Sequence, residues 1–179
     1  MQVTFTRRSG RGYGVEVVRD FDPPARMQAS PGFDESLPSD LAQLLVEREF
    51  AVRLGIFGQL AAGGDAGRFW CAPSDRTALL AARAHRLRVT GRGDLGRSER
   101  LTAACLASWE VESGRRSAGE PWPLRALHDT AAASPAQLAR IVTLFDQAAA
   151  RWLALEPGES VVAEWPAELT LRRSRLRSA

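Results

Sequence analysis

The amino-acid sequence predicts an α+β fold in which a small antiparallel sheet packs against a layer of about four helices. Two alternating segments separated by glycines come first, several amphipathic stretches follow, and one more alternating segment lies near the end. Strands that are grouped apart from helices in this order are typical of α+β proteins. We expect the late strand to return to the N-terminal hairpin.

Length and composition fit one globular domain. The chain has 179 residues, of which 45% are hydrophobic and 25% are charged, and these values are ordinary for a globular protein. No apolar run approaches the ~20 residues of a membrane span, and the first residues lack the order of a signal peptide. We therefore predict a cytoplasmic protein without membrane contact, with one domain over residues 1–171 and a frayed basic tail at 172–179.

The first strands are predicted from alternating apolar residues. Val3 and Phe5 alternate in QVTFTRR, and Tyr13, Val15 and Val17 alternate in YGVEVVRD, with a glycine-rich turn between the two segments. This pattern indicates a β-hairpin. The segment ARMQAS is a candidate third strand.

Three helices are predicted in the middle of the chain by apolar periodicity. They cover Ser36–Leu54, which would end at Gly55, then residues 75–89 and residues 97–113. GIFGQLAAGGDAGRFW is interpreted as a glycine-rich connector, and TGRGDLG as an interruption between the last two helices. The predicted inner faces consist of Leu37, Leu41, Leu44, Leu45, Arg48 and Val52 in the first helix, Leu79, Leu80, Ala84 and Leu87 in the second, and Leu101, Ala104, Cys105, Ser108 and Trp109 in the third.

The clearest element is a helix over Ser134–Leu155. Ser134, Pro135 and Gln137 have the spacing of a capping box with proline in the first turn, and Pro157 lies just beyond the end. A short helix over LRALHDTAAA precedes it, ESVVAEW is a strand, and ELTLRRSRL is a further candidate strand. The predicted inner face consists of Leu138, Ile141, Val142, Phe145, Ala148, Ala149, Trp152 and Leu153.

All 24 basic residues are arginines, and the formal net charge is +3. Clusters occur at Arg7, Arg8 and Arg11, at Arg83, Arg86 and Arg88, and at residues 172–177. They would contact phosphates if they converged on one face. Without the four tail arginines the body is close to neutral, and interspersed acids indicate a surface of mixed sign.

The best chemical lead is LPSDLAQLLVEREF. Ser39, Gln43 and Glu47 are spaced i, i+4, i+8 along one helical side, but serine and glutamine supply no imidazole for zinc or iron. We therefore predict no metal and no cofactor. We expect Asp40, Gln43 and Glu47 to form the solvent-exposed face of the helix.

LPSDLAQLLVE followed by GIFGQLAAGGDAG resembles a group of small proteins from high-GC actinobacteria that have no established activity. The resemblance runs from the N-terminal hairpin to about Gly67 and continues more weakly in the later helices. In that group the helix often reads LPHDLxHxxVE. This chain departs from the pattern at Ser39 and Gln43, so the resemblance does not carry a metal site over.

Two further features are candidates for a binding surface. Gly63 and Gly64 flank Asp65 in a segment that lacks the GK[ST] ending of a phosphate loop, and a tight turn or a loop around a small ligand fits the pattern. Trp122 lies between two prolines, where it either anchors the loop to the core or contacts a partner.

The leading functional hypothesis is a non-catalytic binding or accessory protein that acts through a protein partner. One alternative is a degenerate metal-dependent or hydrolase-like enzyme with a site around residues 36–54 and 58–67. Another is an arginine-mediated nucleic-acid-associated protein. No catalytic residue is assigned, and the candidate ligand or partner surface consists of Ser39, Asp40, Gln43, Glu47, Arg48, Gly63, Gly64, Asp65 and Trp122.

Overall fold

A computed structural model describes residues 1–10, 12–20, 22–27, 36–66, 69–70, 72, 77–115 and 133–171. Within these residues the fold is α+β, as predicted, and one antiparallel sheet is covered on one face by helices. Trp122, the first nine residues of the segment LRALHDTAAA and the C-terminal tail 172–179 lie outside the described residues.

The sheet has five strands, which are β1 (Gln2–Arg7), β2 (Tyr13–Val18), β3 (Ala25–Met27), β4 (Phe69–Trp70) and β5 (Ser160–Glu164). Their order is β4-β3-β2-β1-β5, and every neighbouring pair is antiparallel. The hairpin, the third strand and the return of the late strand to β1 are therefore confirmed. The two-residue strand β4 was not predicted.

Alternation along the strands divides the sheet into a buried face and an outer face. Val3 and Phe5 of β1 are buried beneath the helices, whereas Thr4 lies on the outer face opposite Glu16 of β2 and Val162 of β5. Successive strand residues point to opposite faces, so the register assigns every residue of β5 to one of the two faces.

The described residues contain five α-helices and one short 3₁₀ turn. They are α1 (Ser39–Glu49), α2 (Ile56–Ala61), α3 (Ala78–Thr90), α4 (Arg92–Glu112), α5 (Pro135–Leu153) and the turn Ala167–Leu169. That turn lies where the prediction placed the start of a further strand.

Helix α1 is shorter than predicted, and a second helix follows it. The chain leaves the helix after Phe50, and Ala51 has a positive φ of 50°. Gly55 therefore does not end α1 but precedes α2, which lies in the segment interpreted as a connector. The candidate glycine loop at Gly63 to Asp65 therefore comes directly after a helix, α2.

The predicted interruption at TGRGDLG is also wrong. Only Gly91 separates α3 from α4, and its φ of −86° lets the chain turn from one helix into the next. Asp94 lies in the first turn of α4, where its carboxylate accepts a hydrogen bond from the Leu54 N–H at 3.0 Å. The tripeptide RGD is thus the beginning of a helix.

Three residues assigned to inner faces are exposed instead. Arg48, Leu79 and Leu153 point to solvent, and Leu79 is 65% exposed. Each belongs to a helix whose other predicted apolar positions are mainly buried or half-buried, so the apolar stripes are narrower than predicted. Leu79 and Leu153 also lie near a helix end, where fewer neighbours cover a side chain.

Helix α5 has the capping box that the sequence predicts. The Ser134 hydroxyl accepts a hydrogen bond from the Gln137 N–H, and the Gln137 side chain accepts one from the Ser134 N–H. Ile141, Phe145 and Trp152 are buried as predicted. Two of these side chains are aromatic and contact other layers. The Phe145 ring packs edge-on against Trp109 of α4 with centroids 5.8 Å apart, and the Trp152 ring lies 6.1 Å from the ring of Tyr13 in β2.

The C-terminus of α5 is bound by an arginine from the sheet. The Arg7 guanidinium donates hydrogen bonds to the carbonyl oxygens of Trp152, Leu153 and Leu155 at 3.2, 3.2 and 2.8 Å. A cation is favourable there because the last carbonyls of a helix carry partial negative charge. Arg7 therefore fixes α5 to the end of β1.

Candidate functional site

The polar side of α1 is buried. Asp40, Gln43 and Glu47 were expected to face solvent, and this expectation is wrong, because Glu47 is fully inaccessible and the other two are nearly so. Helix α1 contacts α2, α4 and α5, so more than one of its sides is covered. A helix in this position needs partners for its polar residues as well as for its apolar ones.

The Glu47 carboxylate accepts hydrogen bonds from the first turn of α2. The N–H of Ile56 donates to Oε1 at 2.7 Å, and the N–H groups of Phe57 and Gly58 donate to Oε2 at 2.9 and 3.2 Å. The first N–H groups of a helix have no partner inside the helix. Glu47 thus caps α2 from a neighbouring helix.

These donors stabilise the ionised form of Glu47, which burial destabilises. Burial raises the pKa of Glu47 to about 7, while the donated hydrogen bonds from Ser98 and the α2 backbone act in the opposite direction. The pKa of this buried carboxyl therefore lies near neutrality.

Ser98 links Glu47 to Gln43. The Ser98 hydroxyl donates to Glu47 Oε1 at 2.7 Å and accepts a hydrogen bond from Gln43 Nε2 at 2.9 Å. Ser98 was not predicted, because a single serine on an amphipathic helix gives no signal of a buried partner. The three side chains form one polar network across α1 and α4.

Gly55 leaves room for this network. A Cβ atom at position 55 would overlap the Glu47 carboxylate. The absence of a side chain lets the backbone before α2 approach the carboxylate closely. The glycine is therefore required by packing.

Asp40 is bound to the sheet. The Tyr13 hydroxyl donates to Asp40 Oδ2 at 2.5 Å and lies 3.2 Å from the hydroxyl of Ser39, whose residue is exposed. Burial and the Asp40 charge raise the pKa of Tyr13 to about 12. The tyrosine thus stays protonated and serves as a donor.

The glycine loop at Gly63 to Asp65 packs against an ion pair between Asp22 and Arg83. Gly63 has a φ of +83°, and a Cβ there would overlap Asp22 and Arg83, which form an ion pair at 2.8 Å. The Gly64 carbonyl accepts a hydrogen bond from Arg19 at 2.9 Å. Both glycines are buried, so these contacts support the tight turn rather than the ligand loop.

Asp65 lies at the end of this turn. It is half-buried and forms a long ion pair of 3.9 Å with Arg88. Two arginines of one predicted cluster, Arg83 and Arg88, thus face the carboxylates of Asp22 and Asp65. The structure brings together Gln43 and Glu47, and it places Gly63 to Asp65 in a separate group.

Arg48, like Ser39, is an exposed residue of α1. Among the described residues its guanidinium has no hydrogen-bond or ion-pair partner. It lines a surface pocket of about 240 Å³ between α1, α5 and the turn at Ala167–Leu169. The other lining residues are Leu45, Glu49, Leu144, Pro166, Glu168 and Leu169.

Strand β5 is an edge strand of the sheet that the described residues form, and it lies near this pocket. Within the described part of the chain it pairs only with β1, and hydrogen bonds from Arg7 to Glu159 and from Trp165 to Met1 fix which residues face β1. Residues of an antiparallel strand alternate between its two edges. The N–H and C=O groups of Ser160, Val162 and Glu164 therefore point away from β1, and no described residue pairs with them.

The described ranges contain no group of three or more His, Cys, Asp and Glu residues placed to hold a metal ion. None of their helices combines the length and apolar character that crossing a bilayer requires. Cys105 is a buried free thiol, and burial raises its pKa to about 12.

The chain matches no family model, no curated protein and no solved structure. The resemblance to the actinobacterial group therefore stays a prediction.

Proposed function

We propose that this protein is a non-catalytic binding protein that acts through a protein partner. One observation carries the proposal, namely the open edge of β5, defined by the outward main-chain groups of Ser160, Val162 and Glu164. An exposed strand edge binds an extended segment of another chain by adding it to the sheet. The hydrogen bonds come from the backbone, and the side chains of the edge supply specificity.

Within Ser160–Glu164 itself, few of the devices by which proteins block strand addition are present. It has five residues in regular register with β1, contains no proline or bulge, and has one charged residue, Glu164. Natural sheets protect such edges with charges, prolines, bulges or very short strands. The opposite edge follows that rule, because β4 has only two residues.

The Arg48 pocket extends this surface. Pro166 lines the pocket and follows β5 by two residues. A partner segment that runs along β5 toward Pro166 would place its next side chains near the pocket. Leu45, Leu144 and Leu169 suit an apolar side chain, and the guanidinium of Arg48, which has no partner among the described residues, suits an acidic group.

The two alternative functions have less support. The carboxylate proposed for a degenerate enzyme site, Glu47, is occupied by four donors. Arg7 and Arg83, which belong to two arginine clusters, are bound to helix carbonyls and to Asp22. These contacts leave fewer groups for catalysis or for phosphate binding.

Selection of displayed random peptides on the purified protein tests the proposal. We expect enriched peptides of strand-forming sequence that bind wild type and lose binding to Val162→Pro. Val162 directs its N–H away from β1, so proline there removes an edge donor and keeps the β1–β5 hydrogen bonds. Val162→Thr is the matched control, because it keeps the donor and the β-branched shape.

Arg48→Ala is the second variant for this selection. This variant should bind more weakly those peptides that carry an acidic residue beyond the strand-forming segment. Its binding of the other peptides should be unchanged. Circular dichroism of every variant checks the fold. A selection without enrichment, or enriched peptides that bind Val162→Pro as well as wild type, contradicts the proposal.

A further inference from the structure

We infer that the β5 edge pairs with the β5 edge of a second copy of this chain, in an antiparallel arrangement about a two-fold axis at Val162. The inference rests on the proposed function, since it names the partner of the same edge. Two copies joined in this way would share one continuous sheet. Two-fold dimers place the same surface of each copy in contact.

The arrangement follows from the register of β5. Antiparallel pairing centred on Val162 places Val162 opposite the Val162 of the second copy, Ser160 opposite its Glu164, and Val161 opposite its Ala163. All five residues of the strand then find a partner. Val162, Ser160 and Glu164 are the residues whose N–H and C=O groups face the open edge, so they form the hydrogen-bonded pairs.

The charges of the strand favour this register. Each Glu164 lies at an end of the paired strands, opposite the serine of the other copy, whose hydroxyl can donate to the carboxylate. A parallel pairing in register would bring the two glutamates side by side, and like charges that face each other across strands are destabilising. The two-fold arrangement separates them.

The side chains on both faces of β5 also suit a covering strand. Val162 is 51% exposed on the outer face of the sheet. On the helix side, Val161 and Ala163 are half-buried and pack against the core. In the dimer, valine meets valine on one face, and Val161 meets alanine on the other, so apolar surface is removed from water on both sides.

Sedimentation equilibrium over a range of protein concentrations tests the inference. We expect wild type and Val162→Thr to dimerise, and Val162→Pro to dissociate at least about tenfold more readily, because proline removes one hydrogen bond from each copy. A wild-type protein that is monomeric up to about 1 mM, or a dimer that Val162→Pro leaves intact, overturns the inference.

Disulfide cross-linking tests the register. Facing residues of a hydrogen-bonded antiparallel pair have Cα atoms about 5.5 Å apart, within the range that a disulfide spans. Val162→Cys should therefore form a covalent dimer on mild oxidation. Val18→Cys is the matched control, because Val18 is a valine of 48% exposure on the same face but lies on β2, away from the edge.

Wild type gives the background from the chain's own thiols in this assay. Equal cross-linking of Val18→Cys and Val162→Cys contradicts the two-fold register.

The two proposals can fail separately. Peptides that bind the edge of a protein that stays monomeric support the proposed function and overturn the dimer. A dimer that is lost in Val162→Pro, without any selected peptide, supports the dimer and contradicts binding of a different partner.

Discussion

The Glu47 side chain belongs to α1 and binds the first turn of α2. Its carboxylate lies in the interior, yet it receives three backbone N–H groups from α2 and the hydroxyl of Ser98. A buried carboxylate is costly unless donors surround it. The cost is offset here because α2 needs an acceptor at its first turn.

Glu47→Gln should destabilise the protein by about 2–3 kcal/mol. A glutamine amide must place its NH₂ group where Ile56 donates or where Phe57 and Gly58 donate, so two donors face each other at either orientation. Urea unfolding monitored by tryptophan fluorescence measures the change. The control is Glu112→Gln at the exposed end of α4, which should stay within about 0.5 kcal/mol of wild type. Equal stability of the two variants contradicts the role given to Glu47.

The stability of the protein should fall as the pH rises from about 5 to about 7. Burial raises the pKa of Glu47 from 4.5 to about 7, so in this window the folded state holds a proton that the unfolded state has lost. The loss amounts to about 3 kcal/mol at most. Urea unfolding at a series of pH values measures it, and Glu47→Gln should lack this part of the slope. A slope that is unchanged in the variant assigns the pH dependence to other groups.

The surroundings of individual side chains were the feature that the sequence predicted least well. Glu47 was assigned to the exposed face because it is charged and spaced with Ser39 and Gln43, which is the usual pattern of a surface. Ser98 lies 51 residues away from Glu47, and the α2 donors lie in a segment interpreted as a connector. Burial of a charge depends on such distant donors, and one sequence does not show them.

At the scale of elements, α5 was predicted well because its signals are local. Its capping box, its first-turn proline and most of its apolar face lie within the helix itself. The boundary between α3 and α4 was predicted wrongly because glycine permits many conformations, including the near-helical one of Gly91. Whether glycine ends a helix is decided by packing around it.

Arg7→Met should destabilise the protein by about 1 kcal/mol, and Arg8→Met should have little effect. Methionine keeps much of the apolar stem but cannot donate to the three carbonyls at the end of α5, and the favourable charge at the helix C-terminus is lost. Thermal unfolding measured by circular dichroism compares the two. Arg8 is an exposed neighbour on the same hairpin, so similar losses in both variants would mean that the carbonyl contacts contribute nothing specific.

In the assembled fold, the position of β5 decides which strand edge has no partner among the described residues. The prediction that this strand returns to β1 is confirmed, but an edge exists only relative to the other strands. Without the order β4-β3-β2-β1-β5, the residues Ser160, Val162 and Glu164 fit an ordinary strand, and nothing in the sequence assigns them to the site. Arg48, which it did assign, lies on the neighbouring pocket.

Dimerisation at the β5 edge should make the melting temperature depend on protein concentration. A dimer whose copies dissociate on unfolding is stabilised by mass action, so wild type should melt at a higher temperature when it is more concentrated. Val162→Pro should show a smaller dependence over the same concentrations, because its dimer is weaker. Differential scanning fluorimetry over a hundredfold dilution series compares them, and identical concentration dependence in both proteins contradicts the shared edge.

The placement of β1 also sets an order of events during synthesis. β1 is a central strand, and its neighbour on one side, β5, comes from the far end of the chain: Thr6 and Ser160, which meet at 2.9 Å, are 154 residues apart. At the usual rates of translation, roughly 8–30 s separate the two strands. During that interval β1 is paired only with β2, and its other edge lacks its partner, so the nascent protein carries an unpaired strand edge that β5 later covers.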